Sequence, residues 1–284
     1  MPATFEPSPD RQCPMCAGEG YQLKIEQLNA SAMVCQCVPS CARCGDTGMV
    51  EHVTETGVRY GRCRCQMLPD RIRLFNAAQL PSRHSSNSFR NFDHHSNSAS
   101  QALVLCTKWL HAFTTGKEHR GLVLTGQVGR GKTHLMIAIA RSLIFEHGRS
   151  VRFIEFSRLL SQLREGYGKG ISDSPTLNHL CSVPLLIIDE LGKGRLTDWE
   201  LSIIDEVVSR RYNANLPILG TTNYKWGPPT GAAAPNIAAR EFDEQTLGDR
   251  VGGRVFSRLQ ESALYFECKG PDYRAMKPQN LSHI

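Results

Sequence analysis

The sequence predicts an α/β fold, a parallel sheet with flanking helices, preceded by a small N-terminal domain of metal-stapled β-hairpins. Three observations carry this expectation. From residue 101 onward, apolar runs suited to strands buried on both faces alternate with helical stretches, the pattern of a parallel sheet with helical crossovers. A glycine-rich string ending in Lys132-Thr133 follows the first of those strands and opens a helix, which is where a phosphate-binding loop must lie. Eight of the eleven cysteines crowd into residues 13 to 65 in short-spaced pairs.

Composition sets limits on class. The chain has 284 residues and 40% hydrophobic content, enough for a buried core. Its first residues, MPATFEPSPD, have no basic start and no apolar run, and no stretch approaches the roughly 18 apolar residues of a membrane span. A cytoplasmic protein with no membrane segment is expected. In that setting the paired cysteines read as metal ligands rather than as disulfides. The formal charge of +6 counts thiols as neutral; eight zinc-bound thiolates with two Zn²⁺ would leave about +2. Any nucleic-acid binding must therefore rest on a local patch.

The elements follow in order. Residues 11–68 form the cysteine-rich domain. Cys13, Cys16, Cys35 and Cys37 recur 28 residues later as Cys41, Cys44, Cys63 and Cys65, with Gly20 mapping onto Gly48. Each unit reads CxxC, a glycine turn, a hairpin and CxC. Four thiolates at the base of a hairpin make a closed tetrahedral site, so the zinc is expected to be structural and to supply folding energy that so small a core lacks. Two pairings satisfy the spacing. Each repeat closes its own site, or an inner set (Cys35, Cys37, Cys41, Cys44) and an outer set (Cys13, Cys16, Cys63, Cys65) hold one zinc each. Redox-active thiols are the rival reading.

Residues 69–100 are expected as a linker, because 82–100 are rich in Ser, Asn and His and almost devoid of apolar residues except Phe89 and Phe92. The α/β domain spans 101–284. It opens with a helix whose buried face is Ala102, Leu105, Cys106, Trp109, Leu110 and Phe113, making Cys106 ordinary core. Strands are expected at 122–124, 151–156, 184–190, 217–222 and 263–268. The Pro, Gly and Ala content between Asn223 and Leu247 reads as a surface insertion whose first half is mobile.

Gly126-Gln127-Val128-Gly129-Arg130-Gly131-Lys132-Thr133, followed by His134, is the expected nucleotide cradle. Its glycines let backbone N–H groups turn onto phosphate oxygens at a helix N-terminus. Lys132 would reach the β- and γ-phosphates and Thr133 would ligate Mg²⁺. The strand LLIID ends in Asp189 and Glu190; Asp189 would hold the magnesium and Glu190 polarise the attacking water. That second carboxylate favours hydrolysis over transfer to a small substrate. No NKxD or LSGGQ-like string occurs, so ATP is the expected nucleotide. Asn223, at the tip of the next strand, would orient the water, and Arg250, Arg254 and Arg258 fall four apart on one expected helix face. For single-stranded DNA, Lys193, Arg195 and Trp199 combine charge with a stacking ring, and Arg164 and Lys169 would join them.

Taken in order, GLVLTGQVGRGKTHLMIAIA, VRFIEFSRLLSQLRE, LLIIDELG, RRYNANLPILGTTN, DRVGGRVFSRL and GPDYR resemble the AAA+ ATPases of the DnaC/DnaI-type bacterial helicase loaders, from about Phe89 to Lys277. The resemblance implies ATP-dependent assembly into a ring, arc or filament and a replicative helicase as partner. It makes Asn223 sensor 1, Arg258 the arginine finger with Arg254 second, and Arg274 the sensor 2 arginine. The IstB-type transposition helpers share most of these motifs, and a zinc-scaffolded adaptor switched by nucleotide is a third reading. The cysteine region is similar to the repeats of DnaJ-type cochaperones.

Overall fold

The computed structural model describes residues 6–94, 96–167, 175–195, 197–231 and 245–276. The chain divides into two compact units, one of residues 1–86 with 141–150 and one of 87–140 with 151–284.

In the first unit, β1 (Tyr21–Ile25) pairs with β2 (Ala30–Val34), and β3 (Met49–Thr54) with β4 (Gly57–Arg62), both antiparallel. The sequence repeat is a structural repeat. Cys35 N–H donates to the Gly20 carbonyl and Cys63 N–H to the Gly48 carbonyl, both at 2.8 Å. Helix α1 (Met67–Ala78) begins two residues after the last paired cysteine and buries Leu68, Ile72, Phe75 and Ala78, a stripe at helical spacing. Its Asn76 amide exchanges two hydrogen bonds with the Ala32 backbone, at 2.7 and 3.1 Å. Tyr21 stacks on Phe145 with ring centroids 4.0 Å apart. The Arg141 guanidinium, buried, donates to the Tyr21 hydroxyl (2.9 Å) and the Ser85 carbonyl (2.5 Å). The stretch expected to begin a linker at residue 69 thus carries a packed helix.

The second unit opens with α2 (Asn97–Thr114), capped by Ser96, whose side chain accepts from Ala99 N–H at 3.1 Å. It buries Ala102, Cys106, Trp109 and Leu110. There follow β5 (Gly121–Thr125), α3 (Lys132–Phe145), β6 (Val151–Glu155), α4 (Phe156–Tyr167), α5 (Pro175–Ser182), β7 (Leu185–Asp189) and α6 (Asp198–Asn213). The chain continues through β8 (Ile218–Thr221), α7 (Leu247–Val251), α8 (Gly253–Ser262), β9 (Ala263–Glu267) and α9 (Tyr273–Met276). The five strands form one parallel sheet in the order β6-β7-β8-β5-β9, as the buried apolar runs predict. Because β8 lies between β5 and β7, with Leu124 opposite Thr221 and Ile188 opposite Gly220, three strand tips meet at one edge. Ligands of open parallel sheets bind at that edge.

Two local expectations are corrected. Arg250, Arg254 and Arg258 do not share one helix. Gly252, at φ 84° and ψ 153°, ends α7 and starts α8, in a region of backbone space open to glycine alone. The insertion after Asn223 is tied down at its start: Trp226 stacks on Tyr265 (4.9 Å) beside Phe256 (5.1 Å), and Gly248 N–H donates to the Gly227 carbonyl. Residues 232–244 of it, and Lys169, lie outside the described residues. Among the described residues no helix is long and apolar enough to cross a membrane.

Candidate nucleotide site and metal centres

The phosphate loop connects β5 to α3, and the strand and helix around it form for separate reasons. β5 is buried along its whole length, while α3 is apolar on nearly every side. Gly126, Gly129 and Gly131 all hold positive φ. At Gly129 the requirement is also spatial, since a Cβ there would lie 1.7 Å from an Asp272 carboxylate oxygen. The segment around α9 backs the loop, with Tyr273 N–H donating to the Gly129 carbonyl at 3.1 Å. Gln127 and Val128 are exposed, and Arg130 donates to the Gln127 side chain at 2.8 Å. His134 meets Phe92 edge-on at 5.1 Å and bonds the Ser88 carbonyl at 2.9 Å, so Phe92, expected in a linker, is packed.

The chemistry converges on Lys132. Its Nζ donates to the carbonyls of Gly126 (2.5 Å) and Gln127 (2.7 Å) and to Asn223 Oδ1 (2.9 Å). Burial pushes its ammonium down to about 8, and the charges of Arg130 and Arg274 act in the same direction. A cation held this way gains from an incoming polyanion, which restores its preferred charge state. Thr133 Oγ1 donates to the Asp189 carboxylate at 3.0 and 3.2 Å. Burial raises the Asp189 pKa, opposed by the Thr221 and Thr133 hydroxyls. A hydroxyl and a carboxylate in contact are the hard oxygen donors that suit Mg²⁺. Glu190 sits at φ 56°, an uncommon conformation for a side-chain-bearing residue. Its N–H donates to Thr221 Oγ1 at 3.0 Å, and Thr221 Oγ1 donates in turn to Asp189 at 2.5 Å. Sequence pattern gives Thr221 no role of its own beyond its place directly before Thr222-Asn223 at the tip of β8; its link between Glu190 and Asp189 is set by the pairing of strands.

Lys193 forms an ion pair with Glu190 and a longer one with Glu155, 3.7 Å. Arg164 stands over the Trp199 ring at 5.1 Å and pairs with Glu200 at 3.7 Å. Arg195 is exposed. Arg250 is buried, donating to the Gly192 carbonyl (3.0 Å) and to the Gly194 carbonyl, over the Tyr224 ring. It is thereby committed to the loop after β7. Arg258 donates to Asp205 at 2.8 Å and Ser209 at 2.7 Å, Arg254 lies 3.7 Å from Asp205, and Arg274 is exposed on α9.

The thiols group within each repeat. Cys13, Cys16, Cys35 and Cys37 form one cluster, Cys41, Cys44, Cys63 and Cys65 the other, with sulfurs in each within 4.8 Å of one another. Across CxxC and CxC, separations are 3.8 and 3.4 Å in the first and 3.7 and 3.5 Å in the second. Four sulfurs about 2.3 Å from a tetrahedral zinc stand about 3.8 Å apart, so the donor sets fit that ion.

Fold and site together define a P-loop ATPase of the AAA+ class, with the β8 tip between the phosphate loop and the acidic strand end. The chain belongs to the IstB-like ATP binding protein family, which matches residues 30–228. It is 30% identical over 180 residues to the replicative helicase loader DnaC of Escherichia coli K12, covering 63% of this chain and 71% of that one. A crystal structure of the DnaC helicase loader superposes with a TM-score of 0.52 at 27% identity, over 66% of this chain and 99% of that chain. DnaI shares the fold, with a TM-score of 0.52 at 22% identity over 69% and 94%.

Proposed function

We propose that the chain is an ATP-driven loader of a replicative helicase. The observation that carries this reading is the contact of Lys132 with Asn223 and of Thr133 with Asp189, on a fold and sequence similar to those of DnaC. In the proposed cycle the loop N–H groups and Lys132 bind the ATP phosphates; Thr133 and Asp189 would hold Mg²⁺, which would supply neutralisation of phosphate charge. Glu190 polarises the attacking water, and Asn223 orients it. Arg258, with Arg254, reaches the site of a neighbouring copy in a ring, arc or filament, and Arg274 contacts the nucleotide of its own chain. The contacts of Arg250 with Gly192 and Gly194 support assigning the finger role to Arg258 and Arg254 instead.

The proposed division of labour is a double-zinc domain at 11–68, a connector at 69–100 that carries most of the packed helix α1, and a motor at 101–284, all cytoplasmic. Each cysteine repeat holds its own zinc, and the domain grips the partner. Lys193, Arg195 and Trp199 offer a local contact for single-stranded DNA, with Arg164 braced on Trp199. The test is capture of Glu190→Gln protein with ATP against the hexameric replicative helicase of the same genome. Retention with ATP and release without it is the expected result; no binding in either condition overturns the reading. The IstB-like family description supports a second reading, a helper of a transposase. An adjacent transposase gene, with capture of its product in place of the helicase, would favour it.

A further inference from the structure

Along the contact between α6 and α8, polar residues repeat in matched steps. Asp205, Ser209 and Tyr212 are spaced four and three on one helix; Arg254, Arg258 and Glu261 have the same spacing on the other. Beneath them Ile204, Val208, Val255 and Leu259 are buried, so the polar rungs form the rim of an apolar seam. Tyr212 donates to Glu261 at 2.8 Å. Asp205 uses both oxygens on the arginines: Oδ1 accepts from Arg258 at 2.8 Å, and Oδ2 lies 3.7 Å from Arg254. Ser209 also donates to Asp205 Oδ1 at 3.2 Å.

The pattern at Arg258 is specific. Both of its bonds, to Asp205 and to Ser209 Oγ at 2.7 Å, are made by Nη1. Among the described residues Nε and Nη2 therefore keep their donors, and that edge of the guanidinium is the fork that meets a phosphate or carboxylate in bidentate fashion. Its side chain is 25% exposed, so it is held but not enclosed. An ordinary exposed ion pair contributes little to stability, whereas fixing a long arginine in one direction matters greatly to a group that must meet a transferring phosphoryl. We infer that Asp205 is a positioning residue, which orients Arg258 with its Nε/Nη2 edge outward for the ATP site of a second copy of this chain.

The inference rests on the reading that Arg258 acts in trans, and the experiment separates the two. Glu190→Gln chains, which bind ATP without turnover, act as arginine donors, and Arg258→Ala chains supply working ATP sites; steady-state hydrolysis is measured in mixtures. The Glu190→Gln donor should restore turnover. Adding Asp205→Ala to that donor should lower kcat at least about tenfold with KM for ATP unchanged and the melting temperature within about 2 °C. Asp205→Glu in its place should recover most of the rate. A donor carrying Asp205→Ala that performs like its parent, or a loss tracking melting temperature that Asp205→Glu does not recover, overturns the assignment. If instead a donor carrying both Glu190→Gln and Arg258→Ala restores turnover fully, the trans reading itself is wrong and Asp205 loses its role with it.

Discussion

Asn223 and Gly129 show how much of this site rests on single atoms. Asn223 Oδ1 accepts from Lys132 at 2.9 Å, so the amide couples the tip of β8 to the lysine proposed to reach the γ-phosphate. Asn223→Ala should lower kcat by roughly 100- to 1,000-fold, the range for losing one preorganised donor, while ATP affinity changes little because Lys132 keeps its two loop carbonyls. Steady-state hydrolysis beside fluorescent-nucleotide binding separates the two effects, and equal losses in both would deny Asn223 a role in the chemical step. Gly129→Ala should act in the opposite way. Its new methyl would enter the Asp272 carboxylate at a positive φ, at a strain of about 1–3 kcal/mol, so nucleotide binding should be lost, and titration with a fluorescent ATP analogue checks this. The loop that carries Lys132 and Thr133 and the strand that ends in Asp189 and Glu190 were legible because each is a local pattern, a glycine spacing before a helix and an apolar run ending in two acids. Asp272 was not, because its contact with Gly129 is made between residues far apart in sequence.

At the scale of elements, the cysteine hairpins and the arginine helices pose different problems. β3 and β4 have one buried residue between them, Val50, and a hairpin without a packed face is marginal in water. If each thiol cluster holds zinc, the metal is what keeps β1 to β4 folded. A strong chelator should release about two zinc equivalents per chain, read by a chromogenic indicator, with loss of strand signal in circular dichroism; release of metal without loss of structure would refute that dependence. The hairpins were visible in the sequence through the exact repeat of CxxC, glycine and CxC. The break at Gly252 was less so, since a four-residue arginine spacing looks helical whether or not the backbone continues through it. That break gives Arg250 a separate task. Arg250→Ala would leave the carbonyls of Gly192 and Gly194 without their buried donor, at about 1–3 kcal/mol. Thermal unfolding should show the loss, and Arg250→Lys should recover little of it because an ammonium cannot reproduce the planar fork.

For the molecule as a whole, charge limits what the motor can do with nucleic acid. With zinc in both thiol clusters the formal +6 would fall to about +2, leaving little general field to draw DNA. The local candidates are themselves partly neutralised, Lys193 by Glu190 and Glu155 and Arg164 by Glu200. Overall charge was countable from the sequence, and so were the basic residues, but their acidic partners were not, because Glu155 and Glu200 reach them only through the register of β6 beside β7 and the start of α6. Binding to single-stranded DNA should therefore be shallow in salt. With about two or three phosphates contacted, log K against log salt should have a slope near −1 to −2, far from the value of a broad basic surface. Fluorescence anisotropy of a labelled oligonucleotide at several salt concentrations measures it. Lys193→Ala should have a further effect, since it removes an ion-pair partner of Glu190, the carboxylate proposed to polarise the attacking water: the DNA slope should flatten by less than one while basal hydrolysis shifts. A slope steeper than about −4, unchanged by Lys193→Ala or Arg195→Ala, would place the nucleic-acid contact elsewhere on the chain.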